Sequence, residues 1–438
     1  MRRTTRLAAA VLALASIAAL GAAASPPAVS PSSVSPSSVS TPASPSGDPV
    51  QAAEYWLNDY GIRDAWQVTR GAGTKIAIID TGIGQGPVFA GVVAGTDEST
   101  VGSPDGRTPV GTEDPDHGSW VASLAAGRGT GGGAGMLGVA PDADLLSVSL
   151  GFGGSSPVSF TKQVAAGIRW AVDHGADVIN LSFTTNTLGW DPSWDDAFLY
   201  AFDHDVVVVV AAGNRGSGTD VVGAPATIPG VLTVAGVTPL GAASVEASTQ
   251  GIVIGISAPS EQLLGVSANG QVVVWNGTSG AAPIIAGVAA LVRAAHPDLN
   301  AANVINRIIA TARPASGQSH VPDAQYGYGL VDASAAVGAD VPLVSANPMG
   351  DLSDWIRVYR RAAAVTPTPT ASPLPVEALP APDTATSDLS PLLPSYGTFV
   401  YGSVPLLALT VPAILVALGV TAAVRRIRSA RDSRSPHK

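Results

Sequence analysis

Residues 75–83 read KIAIIDTGI. After one lysine, four apolar residues run without interruption into an aspartate and a Thr-Gly turn. Consecutive apolar side chains place hydrophobic groups on both faces of a strand, which suits only a sheet covered on both sides. Four more runs share this character: 145–149 (LLSVS), 177–183 (DVINLSF), 206–211 (VVVVVA) and 231–235 (VLTVA). Between them the pattern turns helical. Val164, Ile168, Ala171 and Val172 share one helical face that stops at Gly175, and 118–126 and 280–295 read as helices. Such alternation predicts an α/β fold: an open, mostly parallel sheet with helices on both faces. In such sheets functional groups gather at the carboxyl ends of strands, and Asp80 stands at one.

Three other segments complete a chemical set. DPDHGSWVASLAAG (114–127) puts His117 at the start of a small-residue helix. NGTSGAAPIIAGVAALV (276–292) puts Ser279 at the start of another, with Pro283 expected in its first turn. VVVVVAAGN (206–214) ends a buried strand on Gly213-Asn214. A hydroxyl nucleophile needs a base within hydrogen-bond reach, and the base needs a group to orient it. Ser279, His117 and Asp80 are of those three types. A serine at a helix N-terminus has free backbone N–H groups beside it, and the Asn214 amide offers a further donor for developing negative charge. Each motif alone has a plainer reading. Asp80 suits a turn cap, His117 a surface residue, Gly277-Thr278-Ser279 a helix cap and Asn214 a turn.

Taken together and in order, the D-T-G, H-G-S-x-V-A, A-A-G-N and G-T-S-x-A-A-P-x-x-A-G motifs resemble those of subtilisin-type serine peptidases, the subtilases. GVAPDADL (138–145), APATIPGVLTVAGV (224–237) and YGYGLVDASAAV (326–337) extend the resemblance over about residues 55–338. It implies a subtilisin-like fold and peptide-bond hydrolysis. Ser279 would be the nucleophile, His117 the base, Asp80 its orienting group and Asn214 part of the oxyanion hole. It also implies a substrate-binding edge at Ser182, Phe183, Thr184 and Thr185, with Ala212 and Gly213 beside it. Subtilases commonly show S-L-G-G at that edge. Two β-branched threonines there predict a narrowed cleft, unless they point away from it.

The chain ends read differently. Residues 1–24 have a basic start and an apolar run closing on Ala22-Ala23-Ala24, as a signal peptide does. Residues 25–51 are Ser/Pro-rich, the peptidase domain is expected over 52–340, and 341–403 form a juxtamembrane segment and Pro-rich linker. Residues 404–424 are apolar and uncharged, long enough for a transmembrane helix, and the basic tail 425–438 marks a cytoplasmic end. The net charge is −10 over 438 residues. Three arginines at the start and five net positive charges in the tail leave −18 on residues 7–424. An exported body this acidic argues against a nucleic-acid partner. The absence of cysteine excludes disulfides, thiolate metal sites and a thiol nucleophile.

No cofactor is called for. The loop 97–116 carries six carboxylates, a ligand type that suits Ca²⁺, but it lacks EF-hand spacing, and a solvated loop is the plainer reading. Gly280 stands where the family often has a larger residue, which predicts looser packing. Trp190 and Trp194 either rim the groove or pack locally. Signal peptide, single domain, Pro-rich stalk, one membrane helix and basic tail together resemble the mycosins, membrane-anchored subtilases associated with type VII secretion. The absence of cysteine departs from many of them. The mycosin resemblance implies a protein substrate, a membrane location with the catalytic domain outside, and partnership with secretion machinery. A structural role with a silent active site, or a free-standing surface protease, are the alternatives.

Overall fold

The computed structural model describes residues 47–111, 114–360 and 404–432. Seven parallel strands form the central sheet in the order β2-β3-β1-β4-β5-β6-β7. They are β1 (Lys75–Asp80), β2 (Val92–Asp97), β3 (Asp144–Ser149), β4 (Val178–Leu181), β5 (Val207–Ala211), β6 (Leu232–Val237) and β7 (Ile254–Pro259). A two-stranded antiparallel ribbon, β8 (Leu263–Val266) with β9 (Val272–Trp275), lies apart from it.

Successive side chains of each strand leave on opposite faces, and both faces are covered. Ile76, Ile78, Val207 and Val209 enter one core with α4 (His117–Ala126) and α7 (Thr278–Ala295). Ala77, Ile79, Val208 and Val210 enter a second core with α5 (Phe160–Asp173) and α6 (Ser193–Asp203). This explains the unbroken valines of β5. The chain leaves β3 and crosses β1 to reach β4, so the carboxyl end of β1 lies at the point where the winding direction changes, the usual place for a crevice.

Helix α7 is apolar enough by composition to span a membrane, yet 78% of it is buried within the body. Pro283 is its sixth residue rather than a first-turn residue as expected. A proline at that depth lacks the N–H that would bond the carbonyl of Ser279, a defect costing about 3 kcal/mol when nothing replaces the bond.

The folded body is longer than 52–340 at both ends. Short helices α1 (Pro49–Ala53), α2 (Tyr55–Asp59) and α3 (Ile62–Ala65) lead into β1. Asp48 caps α1 and accepts the Gly135 N–H at 2.7 Å, while Gln51 donates to the carbonyls of Gly133 and Gly135. After α8 (Ala301–Ala310) and α9 (Ala333–Gly338), helix α10 (Leu352–Tyr359) packs Leu352, Trp355 and Ile356 against the α6 core. Arg360 pairs with Asp195 and lies over the rings of Trp190 and Trp355. Trp190 and Trp194 therefore pack locally: Trp194 is buried in α6, and Trp190 meets Trp355 at 4.5 Å between centroids. The expected strand over 177–183 stops at Leu181, because Ser182 turns toward α7.

The second unit contains α11 (Val404–Asp432), whose stretch Leu406–Arg426 has a mean hydropathy of 2.3 and is long enough to cross a membrane. The expected signal peptide, most of the Ser/Pro-rich stretch, the expected linker from 361 to 403 and the last tail residues lie outside the described residues.

Candidate active site

Asp80 is the last residue of β1 and is wholly buried. Its Oδ1 accepts the Thr81 N–H at 2.7 Å and meets Nδ1 of His117 at 2.8 Å. Oδ2 is buried with no hydrogen-bond partner among the described residues. His117 opens α4, and the helix start is tied to the strand end by the Gly118 N–H donating to Thr81 Oγ1 at 2.8 Å. A Cβ on Gly118 would meet the Gly82 carbonyl at 2.5 Å, which is why glycine follows the histidine. Burial alone lowers the pKa of His117. The charge of Asp80, its hydrogen bond and the charge of Asp114 outweigh that, and the imidazole titrates above its ordinary value of 6.5. Around the ring stand Trp275, at 5.6 Å and edge-on, and Trp120, whose indole N–H donates to Ser267 Oγ.

Ser279 is the second residue of α7. Its Oγ donates to the carbonyl of Ser182 at 2.9 Å, and no hydrogen bond joins it to His117. Ser182 Oγ donates in return to the Ser279 carbonyl at 2.9 Å, the acceptor that Pro283 leaves open. Asn180 Nδ2 donates to Ser182 Oγ at 2.8 Å and sets that hydroxyl's direction.

Asn214 follows β5. Its Oδ1 accepts from both the N–H and the hydroxyl of Thr278, at 2.8 and 2.9 Å. With the oxygen engaged, Nδ2 has no acceptor among the described residues and remains a free donor. Thr278 Oγ1 also accepts the Gly213 N–H at 3.0 Å, so one hydroxyl braces both residues. Gly213 has φ +101°, a left-handed conformation that favours glycine, and a Cβ there would meet the methyls of Thr219 and Thr184.

The model of the subtilase family matches residues 71–329. The chain belongs to the subtilase family. Within it, the chain is 37% identical to Mycosin-3 of Mycobacterium tuberculosis over 337 residues, covering 64% of this chain and 70% of that protein. It is 32% identical to Mycosin-4 of the same organism, covering 73% and 74%. Among solved structures it resembles MycP1 with its N-terminal propeptide removed, with a TM-score of 0.57 and 30% identity, covering 66% of this chain and 98% of that one. The MycP3 protease from the type VII (ESX-3) secretion system matches with a TM-score of 0.55 and 31% identity, covering 67% and 89%. This subtilase is a mycosin-like serine peptidase.

Three cavities of the subtilase are lined by candidate site residues, one of them by Ser279 itself. One of about 570 Å³ is lined by Asp114, His117, Phe152, Ser182, Phe183 and Thr184, among others. One of about 170 Å³ lies between Phe183, Thr184, Gly213, Asn214, Thr219 and Ser279. A third, of about 560 Å³, extends beyond Asn214 to Glu246, Glu261 and Asn276. The two threonines of the expected edge part company. Thr184 lines the first two cavities, its hydroxyl donating to the Gly223 carbonyl, while Thr185 turns away and pairs with Thr187. Phe183 lines both cavities, and its ring is backed by Phe152 and Phe160. Ala212 is buried in the α5/α6 core and lines no cavity, since the pleat puts Ala211 and Gly213 on the cleft side.

Gly280 does not loosen the packing. Leu263 fills its space so closely that a Cβ would lie 2.3 Å from the leucine Cδ1. Carboxylates of the 97–116 loop are engaged locally: Asp97 accepts from Ser99, Gly102 and Ser149, and Asp116 accepts the Ala268 N–H. Among the described residues no three His, Cys, Asp or Glu side chains converge as a metal site. Thr278, Asn180, Trp120 and Trp275 were not singled out from the sequence. Only the position of Thr278 inside the G-T-S motif pointed toward it.

Proposed function

We propose that this subtilase is a serine endopeptidase held by α11 in the cytoplasmic membrane, with its catalytic body outside, its basic tail inside, and a place beside type VII secretion machinery. The observation that carries the catalytic part is the 2.8 Å contact of buried Asp80 with His117, together with a serine in the first turn of α7 whose hydroxyl is bonded to Ser182, a residue that lines one cavity with His117. Similarity to MycP1 from the ESX-1 type VII secretion system supports the cellular setting.

The chemistry then runs as follows. Ser279 turns its hydroxyl from the Ser182 carbonyl toward His117, which takes the proton as Oγ bonds to the peptide carbonyl carbon. The Asn214 amide and the Ser279 N–H hold the oxyanion. Asp80 fixes the tautomer and balances the imidazolium. His117 passes the proton to the leaving amine as the C–N bond breaks, and water, deprotonated by the same imidazole, releases the acyl group.

Labelling by a fluorophosphonate, abolished in Ser279→Ala, is the expected result. Unlabelled wild type would overturn the catalytic assignment. A second reading, a structural component with a silent site, draws on the hydroxyl of Ser279 being bonded to Ser182 rather than His117. Complementation of a deletion strain by Ser279→Ala separates the two, because only a structural role survives that change. Alkaline-resistant membrane association lost on deletion of 404–438, and co-purification of secretion components, test the location and the partner.

A further inference from the structure

The three cavities lined by His117, Ser279 and Asn214 carry three carboxylates, Asp114, Glu246 and Glu261, and no lysine or arginine among the described residues. Two of the three face the 560 Å³ cavity beyond Asn214. We propose that this cavity is a subsite for a lysine or arginine of the substrate, held between Glu246 and Glu261 in the half of the peptide that does not lie along Phe183 and Thr184. The proposal rests on the peptidase reading above.

Four observations support it. First, the cavity is continuous with the chemistry, since Asn214 belongs to both its wall and the Ser279 pocket. A peptide bonded to Ser279 and running away from Phe183 and Thr184 has this groove in its way. Second, neither glutamate has an ion-pair partner within 4.0 Å among the described residues. Arg215, the nearby cation in sequence, points its guanidinium at the carbonyls of Ser244 and Ser248. Third, the walls are braced before any ligand arrives. The Gly216 N–H donates to the Glu246 carbonyl at 2.9 Å, Asn276 Oδ1 accepts the Gln262 N–H at 2.7 Å, and Tyr55 donates to the Glu261 carbonyl at 2.8 Å. Fourth, the other walls, Val245, Ala243, Ala247 and Thr238, suit the methylene stem of a long cationic side chain. An acidic side chain there would face two like charges at once.

The test uses the full chain in detergent and a proteome-derived peptide library, with cleavage sites mapped by mass spectrometry. Lysine and arginine are expected to be enriched about fivefold or more within three residues on one side of the cut. The enrichment should vanish in Glu246→Gln/Glu261→Gln and turn toward acidic residues in Glu246→Lys/Glu261→Lys. Ser279-dependent cleavage with no basic enrichment, or with enrichment unmoved in the double variant, overturns the subsite and leaves the peptidase reading standing. If the protein labels with fluorophosphonate but cuts no library member, protection of Ser279 by lysine-containing against glutamate-containing peptides reads the same preference, and equal protection overturns it. A wild type that neither labels nor cuts sinks the peptidase reading and the subsite with it.

Discussion

Ser182 and Ser279 exchange two hydrogen bonds, each hydroxyl donating to the other's carbonyl at 2.9 Å. One of the pair repairs the helix: Ser182 Oγ occupies the carbonyl that Pro283 cannot serve. The other holds the Ser279 hydroxyl away from His117. Ser182→Ala removes the first bond and keeps the second, because the backbone carbonyl remains. The start of α7 loses a donor worth about 1 kcal/mol. Fluorophosphonate labelling should slow roughly tenfold with little change in thermal midpoint. An unchanged labelling rate would show that the helix start needs no such support.

Thr278 aims the Asn214 amide without touching the reacting atoms itself. Thr278→Val keeps the shape and removes the hydroxyl, leaving the amide oxygen held by the Thr278 N–H alone. Loss of one oxyanion donor typically lowers kcat by about 100-fold or more. Thr278→Val should lower kcat by about tenfold, part of that fall, with KM nearly unchanged. Combining it with Asn214→Leu should add little, since the two act through one donor. Thr278→Ser should restore most of the rate.

His117 must be neutral to accept the Ser279 proton, and its pKa is raised. The acid limb of the rate profile therefore lies above pH 6.5, the ordinary value. Asp114, exposed and near the ring, contributes to that rise. Asp114→Asn should move the midpoint of the labelling rate toward lower pH, an effect that shrinks in high salt. Movement in the opposite direction would contradict the assigned sign.

Glu54 joins α1 to α2, is wholly buried, and has one oxygen on the Leu137 N–H and the other without a partner. Burial pushes its pKa up to about 8, against an unfolded value of 4.5, despite the opposing pull of that N–H and of Arg63. The folded state therefore holds a proton that the unfolded state has released. The stability associated with the protonated form is complete below pH 4.5 and is lost as pH rises through 8. Glu54→Gln keeps the acceptor without the charge. At pH 9 it should melt above wild type by about 5 °C, on the order of 2 kcal/mol, and at pH 5 the two should coincide.

Thr184 narrows the 170 Å³ pocket and blocks the space around Gly213. Thr184→Gly should admit aromatic side chains there, raising kcat/KM on such substrates by about tenfold relative to alanine. Thr185→Gly should leave that ratio unchanged, because its side chain faces Thr187.

The candidate catalytic residues could be singled out from the sequence because they stand where elements begin and end. Asp80 closes an apolar strand, and His117 and Ser279 open helices. Legibility failed where contacts join distant backbone. Nothing local to Ser182 says that its hydroxyl answers a proline 101 positions later. Nothing in W-D-P-S-W-D-D says that Trp190 waits for Trp355 and Arg360, which moved the end of the body past residue 340. Strand β2 was missed because it is a half-buried edge with mixed polar residues, and β9 because alternate valines of a two-stranded ribbon face water. Ala212 was misjudged for a simpler reason: one step along the pleat exchanges cleft for core.

The carboxylates of Glu246 and Glu261 also bear on self-cleavage. A peptidase meets the flanking sequence of its own chain at a high effective concentration. Residues 362–403 contain no lysine or arginine and three acidic residues, and residues 25–46 contain no basic residue either. With the Glu246/Glu261 groove taking cationic side chains as proposed, both segments lack the residue it selects. The choice of substrate and the sparing of the chain's own sequence would then rest on the same two side chains.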